Sequence, residues 1–144
     1  MKFLLAVTTL LTVAVLLTAA AGSSEVTYVG HDKVAAALAK SGPLVNAPDL
    51  LVSGSHRSGP GQVEIHDKET DVIYVVTGEA TFVTGGTAVG EKATRPGQRV
   101  ASDIRDGKAH HLTKGDVIVV PAGTPHWFKE VPQSISYYVV KVLK

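Results

Sequence analysis

The chain has 144 residues, 44 % of them hydrophobic, with 14 Lys and Arg against 13 Asp and Glu. That is room for one domain around one core, and a formal charge of +1 with no basic run excludes a nucleic-acid binder. There is no cysteine, which excludes disulfides, thiolate metal sites and cysteine nucleophiles.

The first segment, MKFLLAVTTLLTVAVLLTAAAGSSE, has a positive Lys2, an apolar stretch from Phe3 to Leu17, and small residues at Ala19 and Ala21. This is the pattern of a secretory signal cut after Ala21, which makes residues 1–21 a signal peptide and residues 22–144 the mature domain. The rival reading is an uncleaved anchor, since Phe3 to Ala21 nearly reaches spanning length. The polar GSSE that follows favours cleavage, and so a secreted or periplasmic domain with no membrane contact afterwards. Without Lys2 the charges balance at 13 against 13.

Next, SEVTYVG predicts a short strand, and HDKVAAALAKSGP a helix with Asp32 as N-cap and Gly42-Pro43 as its stop. DLLVSGSH and QVEIH predict strands around an RSGPG turn. DVIYVVTGEATFVTGG predicts a hairpin about Gly78-Glu79. Residues 85–110 are polar and rich in Gly and charge, and read as a long loop with at most a short strand. HLTKGDVIVVPAGTPHWFKEV is strand, turn, strand, and SISYYVVKVLK closes the chain as a strand. Short strands every eight to twelve residues with one helix predict an all-β sandwich or barrel.

In Val63-Glu64-Ile65-His66, Glu64 and His66 share one face of a strand and Val63 and Ile65 the other. Alone, such a polar pair reads as the solvent face of a half-buried strand. The segment GDVIVVPAGTPHW changes the weighing. Pro121 ends a β-branched strand, Gly123 supplies a permissive turn position, and Thr124-Pro125 stiffens the approach to His126. A histidine held behind so rigid a turn suits a metal ligand, whose distance to the ion must hold to within about 0.2 Å.

These two segments resemble the paired motifs of the cupin family. The first runs Ser58, Glu64-x-His66, Asp71, Gly78; the family pattern has Gly, His-x-His, Glu and Gly at those places. The second runs Gly115, Pro121-x-Gly123, His126, Glu130, and departs from the family only at its last position, where Asn is usual. The resemblance spans residues 58–130 and implies a double-stranded β-helix, or jelly-roll, barrel with the motif residues inside. It implies a divalent metal on Glu64, His66, Asp71 and His126. Imidazole suits Fe, Zn, Ni and Cu, and carboxylate admits Mn. If one carboxylate stays off the ion, the rest resembles a two-histidine, one-carboxylate set, and the free acid, Glu64 or Asp71, serves as base or orients a ligand. Asp71 is one methylene shorter than the usual Glu, and a barrel without metal would leave Glu64 and His66 as an acid–base pair.

The other histidines read as ordinary: His56, His110 and His111 as surface residues and His31 as part of the helix start. Tyr74 falls on the outer face, Phe128 on the inner face with His126, and Trp127 points outward to a possible dimer contact. Ser134 and Ser136 lack a nucleophile elbow, so a serine hydrolase finds no support. Two functions remain: a metal-dependent oxygenase, lyase or isomerase acting on a small molecule, or a non-catalytic barrel holding a small ligand such as a sugar or aromatic acid. A homodimer through the apolar SISYYVVKVL end is a further expectation.

Overall fold

The computed structural model describes residues 25–144, and the expected export signal lies outside them. Among these residues the elements run, in chain order, α1 (His31–Lys40), β1 (Gly42–Asn46), β2 (Leu50–Arg57), β3 (Val63–His66), β4 (Glu69–Thr84), β5 (Thr87–Val89) and β6 (Lys92–Arg95), then β7 (Gln98–Ala101), β8 (Asp103–Arg105), β9 (Lys108–Thr113), β10 (Val117–Val120), β11 (His126–Glu130) and β12 (Ile135–Leu143).

Strand β4 organises the barrel. Its first half, up to Gly78, pairs antiparallel with β12 and β10. Its second half, from Glu79, pairs with β9 and β11. One ten-stranded sheet therefore turns a corner within β4, with β1, β2, β12 and β10 in one half and β9, β11, β3, β7 and β6 in the other. The hairpin expected at Gly78-Glu79 does not form. Gly78 bends a continuous strand instead: its φ is +78°, and a Cβ there would stand 1.9 Å from the Ser134 carbonyl oxygen. The inward phase shifts at this corner, from odd positions (Ile73, Val75) to even ones (Ala80, Phe82). These four meet Leu112, Val120, Phe128, Ile135 and Tyr137 in the main core.

Strand β3 is covered on its other face. Val63 and Ile65 pack with Ala101, Ala88, Ile104 and Trp127 beneath a separate β5–β8 ribbon. This ribbon and strands β6 and β7 occupy most of residues 85–110, which the polar sequence had read as loop. Their strands are only three or four residues long, too short for alternation to declare itself.

Three local expectations also give way. SEVTYVG forms no strand over its described residues, which join no β-ladder, and Val26 and Tyr28 stand 97 % and 88 % exposed. Gly30, not Asp32, takes the helix N-cap, and Asp32 sits in the first turn, where its charge favours the helix dipole. The helix stops at Lys40, and Gly42-Pro43 opens β1. The closing strand β12 lies between β2 and β4 from Ile135 to Val142, so it is a central strand whose backbone edges are already paired.

Candidate metal centre

The corner in β4 and the two motifs bring three strands to one place. On β3, Glu64 and His66 alternate with Val63 and Ile65, so burying the apolar pair under the β5–β8 ribbon turns the polar pair inward. His126 opens β11 directly opposite Glu64 in register. Asp71 on β4 is in phase with Ile73 and faces the same interior. His66, Asp71 and His126 are 8 %, 4 % and 5 % exposed.

The four side chains expected from the motifs converge. His66 Nε2 is 3.5 Å from Glu64 Oε2 and 3.6 Å from Asp71 Oδ2, and His126 Nε2 is 3.7 Å from the same Asp71 oxygen. The two imidazole rings lie 5.0 Å apart. Donors on a tetrahedral ion with bonds of about 2.1 Å stand roughly 3.4 Å from one another, so these spacings suit a first-row divalent metal.

Both rings are held in the tautomer a metal needs. His126 Nδ1 faces the Thr124 carbonyl at 3.0 Å, and a carbonyl only accepts, so Nδ1 carries the proton and Nε2 a lone pair. The Gln98 amide nitrogen donates to Glu69 Oε1 at 2.7 Å, which turns the Gln98 oxygen toward His66 Nδ1. His66 therefore also donates from Nδ1 and presents a bare Nε2, a buried atom with no hydrogen-bond partner. A buried Nε2 with no hydrogen-bond partner, at ligand spacing from Glu64 and His126, suits a site able to hold a cation. Glu64, His66 and His126 form one set with ligand spacing, and His66, Glu69 and Asp71 a second that overlaps it.

One cation is already present. Lys141 on β12 stands opposite Asp71 and donates to Oδ1 at 2.9 Å and Oδ2 at 3.0 Å. It also lies 2.9 Å from Glu69 Oε2. Asp71 thus meets both histidines and an ammonium at once, and Glu64 is the less committed acid, paired with Arg57 at only 3.8 Å.

The charges shift their neighbours. The facing His66 ring holds the Glu64 carboxyl below its ordinary value, against burial, which pushes it up. Burial pushes His66 down, but the Glu64 carboxylate and the Asp71 charge outweigh it, and the ring's net shift is upward. Burial holds His126 below its ordinary value, against the hydrogen bond to Thr124. The site opens into a cavity of about 140 Å³, bordered by Arg57, Glu64, Asp71, His126, Tyr137 and Lys141 on its polar side.

Sequence reasoning missed Lys141, Arg57, Tyr137, Glu69 and Gln98. Lys141 left a trace: it is the one charge inside SISYYVVKVL, in phase with Tyr137 and Val139. Gln98 left none, since it lies in a segment that read as loop. Trp127 is corrected: half-buried, it donates from Nε1 to the Gly61 carbonyl at 2.8 Å. His56 is tied into the structure, its Nδ1 2.9 Å from Ser136 Oγ. Glu130 bonds Thr81 on the surface, outside the site.

A family model described as cupin matches residues 56–142. A search of curated proteins finds no match. Among solved structures, an uncharacterized conserved protein with a double-stranded β-helix domain from Klebsiella pneumoniae aligns at 17 % identity and a TM-score of 0.50, over 70 % of this chain and 69 % of that one. The conserved SPY1581 protein of unknown function from Streptococcus pyogenes aligns at 17 % identity and a TM-score of 0.50, over 71 % of each chain. At such identities these two structures speak for the barrel alone. With both motifs inside the matched span and the barrel they imply on the page, the chain belongs to the cupin family.

Proposed function

We propose that this protein is an exported cupin that holds a divalent first-row metal in its barrel and acts on a small molecule by oxygenase, lyase or isomerase chemistry. The observation that carries the proposal is the pair of Nε2 atoms, on His66 and His126, freed by the Gln98 and Thr124 contacts at Nδ1 and lying within 3.7 Å of the carboxylate oxygens of Glu64 and Asp71. His66 and His126 anchor the ion, with Glu64 and Asp71 completing the donor set. A metal bound there supplies Lewis acidity toward a substrate oxygen, and redox chemistry if it is iron.

The residues of the chain divide the remaining work. Where Glu64 stays off the ion, it is the carboxylate placed to take a proton from a bound molecule, since it borders the cavity and is ionised. Asp71, with both oxygens on Lys141, orients and balances charge and moves no proton. Ile73, Phe128 and Val139 form the apolar side of the cavity and limit water around the bound molecule. Export rests on the residue 1–21 pattern.

A second reading has its own support. Lys141 already compensates Asp71, so part of the acidic charge is satisfied without an ion, as a metal-free barrel holding a small ligand would need. Metal content separates the two. Protein prepared without a polyhistidine tag should carry near-stoichiometric metal by elemental analysis, and His66→Ala or His126→Ala should lose it. Metal-free protein whose melting ignores chelators would leave the binding barrel in place.

A further inference from the structure

The cavity into which the metal centre opens is built for an anion, and this rests on the metal-centre reading. Its outer wall carries a preorganised group of donors. Arg57 Nε donates to the Tyr137 hydroxyl at 2.9 Å, which fixes one edge of the guanidinium. The guanidinium is steadied over the Phe128 ring, 5.1 Å from its centroid. The two terminal nitrogens remain for other partners, with only the 3.8 Å approach of Glu64 on one of them. Tyr137 accepts from Arg57 and so keeps its own O–H to donate. Arg57 and Tyr137 both border the cavity. A planar fork beside a hydroxyl donor is the arrangement that takes a carboxylate in two parallel hydrogen bonds.

Charge points the same way. Glu64, Glu69 and Asp71 carry three negative charges against the two positive charges of Arg57 and Lys141. The site is one charge negative, and a divalent ion makes it one charge positive. An anion is then favoured more strongly once the metal is bound. Size and polarity narrow it further. A cavity of about 140 Å³ is close to the ~150 Å³ that encloses a benzene molecule, so the ligand has on the order of six heavy atoms. Ile73, Phe128 and Val139 give it an apolar face that an inorganic anion would leave unused.

We propose that the cavity binds a small organic monocarboxylate, its carboxylate on Arg57 and Tyr137 and its carbon stem against Ile73, Phe128 and Val139, with binding strengthened by the metal at Glu64, His66 and His126.

The test is calorimetric titration of the full protein with lactate, lactamide and inorganic phosphate, with and without Mn²⁺, while metal content is measured separately. Lactate should bind the metal-loaded protein at least about tenfold more tightly than lactamide and more tightly than phosphate, and should weaken about tenfold without metal. Arg57→Met should lose about tenfold in lactate affinity at unchanged metal content, and Tyr137→Phe, which keeps the ring, should lose several-fold. Equal affinity for lactate and lactamide, tighter phosphate, or indifference to both substitutions overturns the carboxylate site. Absence of metal uptake overturns the metal centre instead. The carboxylate site is then judged on the metal-free protein, where lactate binding that depends on Arg57 sustains it and its absence ends it.

Discussion

Lys141 is the residue that most distinguishes this site. A buried acid with an ammonium on both oxygens is compensated before any metal arrives. Removing the ammonium leaves Asp71 and Glu69 as uncompensated carboxylates, a loss of about 3 kcal/mol or more for a buried pair. Lys141→Met should therefore melt well below the parent when metal-free. A divalent ion supplies the missing positive charge, so saturating metal should restore more stability to the variant than to the parent, as scanning calorimetry with and without metal would read. Equal metal-induced shifts in the two proteins would mean that Asp71 takes no part in holding the ion.

Protons compete for the same atoms. His66 has its proton affinity raised above the ordinary value of 6.5, and His126 has its own lowered. Metal needs both rings neutral. As pH falls, His66 is the ring that protonates first and would displace an ion bound there, while His126 stays neutral to lower pH. In the metal-free protein the sign is opposite: the raised His66 contributes stability that is full below 6.5 and disappears as pH rises through its folded value. The metal-induced rise in melting temperature should thus grow between about pH 6 and pH 8. A shift constant over that range would remove His66 from the ligand set.

At the scale of the element, the corner in β4 decides whether the site exists, because it sends one strand through both halves of the sheet. Two glycines test it. Gly78 and Gly85 both have positive φ, +78° and +70°, but only at Gly78 would a Cβ meet backbone, the Ser134 oxygen at 1.9 Å; at Gly85 it meets nothing within 4 Å. Gly85→Ala should cost about 1 kcal/mol, the strain alone, and Gly78→Ala about 3 kcal/mol or more, strain plus displacement of the loop before β12. Urea unfolding of the two variants checks the contrast. The corner was not legible beforehand, since Thr77-Gly78-Glu79 has the composition of a tight turn. What makes it a bend is that the flanking halves find different partners, β12 and β10 before it and β9 and β11 after it, and pairing partners are not written locally. The motif around His126 was legible because Pro121, Gly123 and Pro125 fix their backbone by their own covalent chemistry. Glu64 and His66 gave their common face by alternation alone, but which face turned inward depended on the β5–β8 ribbon, which strands of three residues did not announce.

At the scale of the molecule, the candidate metal centre is a place where the two halves of the barrel meet through polar groups. Glu64, His66 and His126 come from β3 and β11 in one half, and Asp71 and Lys141 from the first part of β4 and from β12 in the other. A chain without cysteine has no disulfide to cross-link them. The apolar core joins the halves as well, through Phe82 and Phe128 against Ile73, Val75 and Tyr137. An ion held by both halves would add to that core. By mass action, metal at a hundred times its dissociation constant stabilises the folded state by about 2.7 kcal/mol. Where that stabilisation appears distinguishes the two possible ligand sets. If Asp71 is a ligand, slowed amide exchange should extend from β3 and β11 into the first half of β4 and into β12. If the ion rests on Glu64, His66 and His126 alone, β3 and β11 should gain protection beyond the other strands, and Asp71→Asn should leave metal affinity within about twofold, a difference of a few tenths of a kcal/mol. Hydrogen exchange at matched free metal, on the parent and on Asp71→Asn, reads both outcomes.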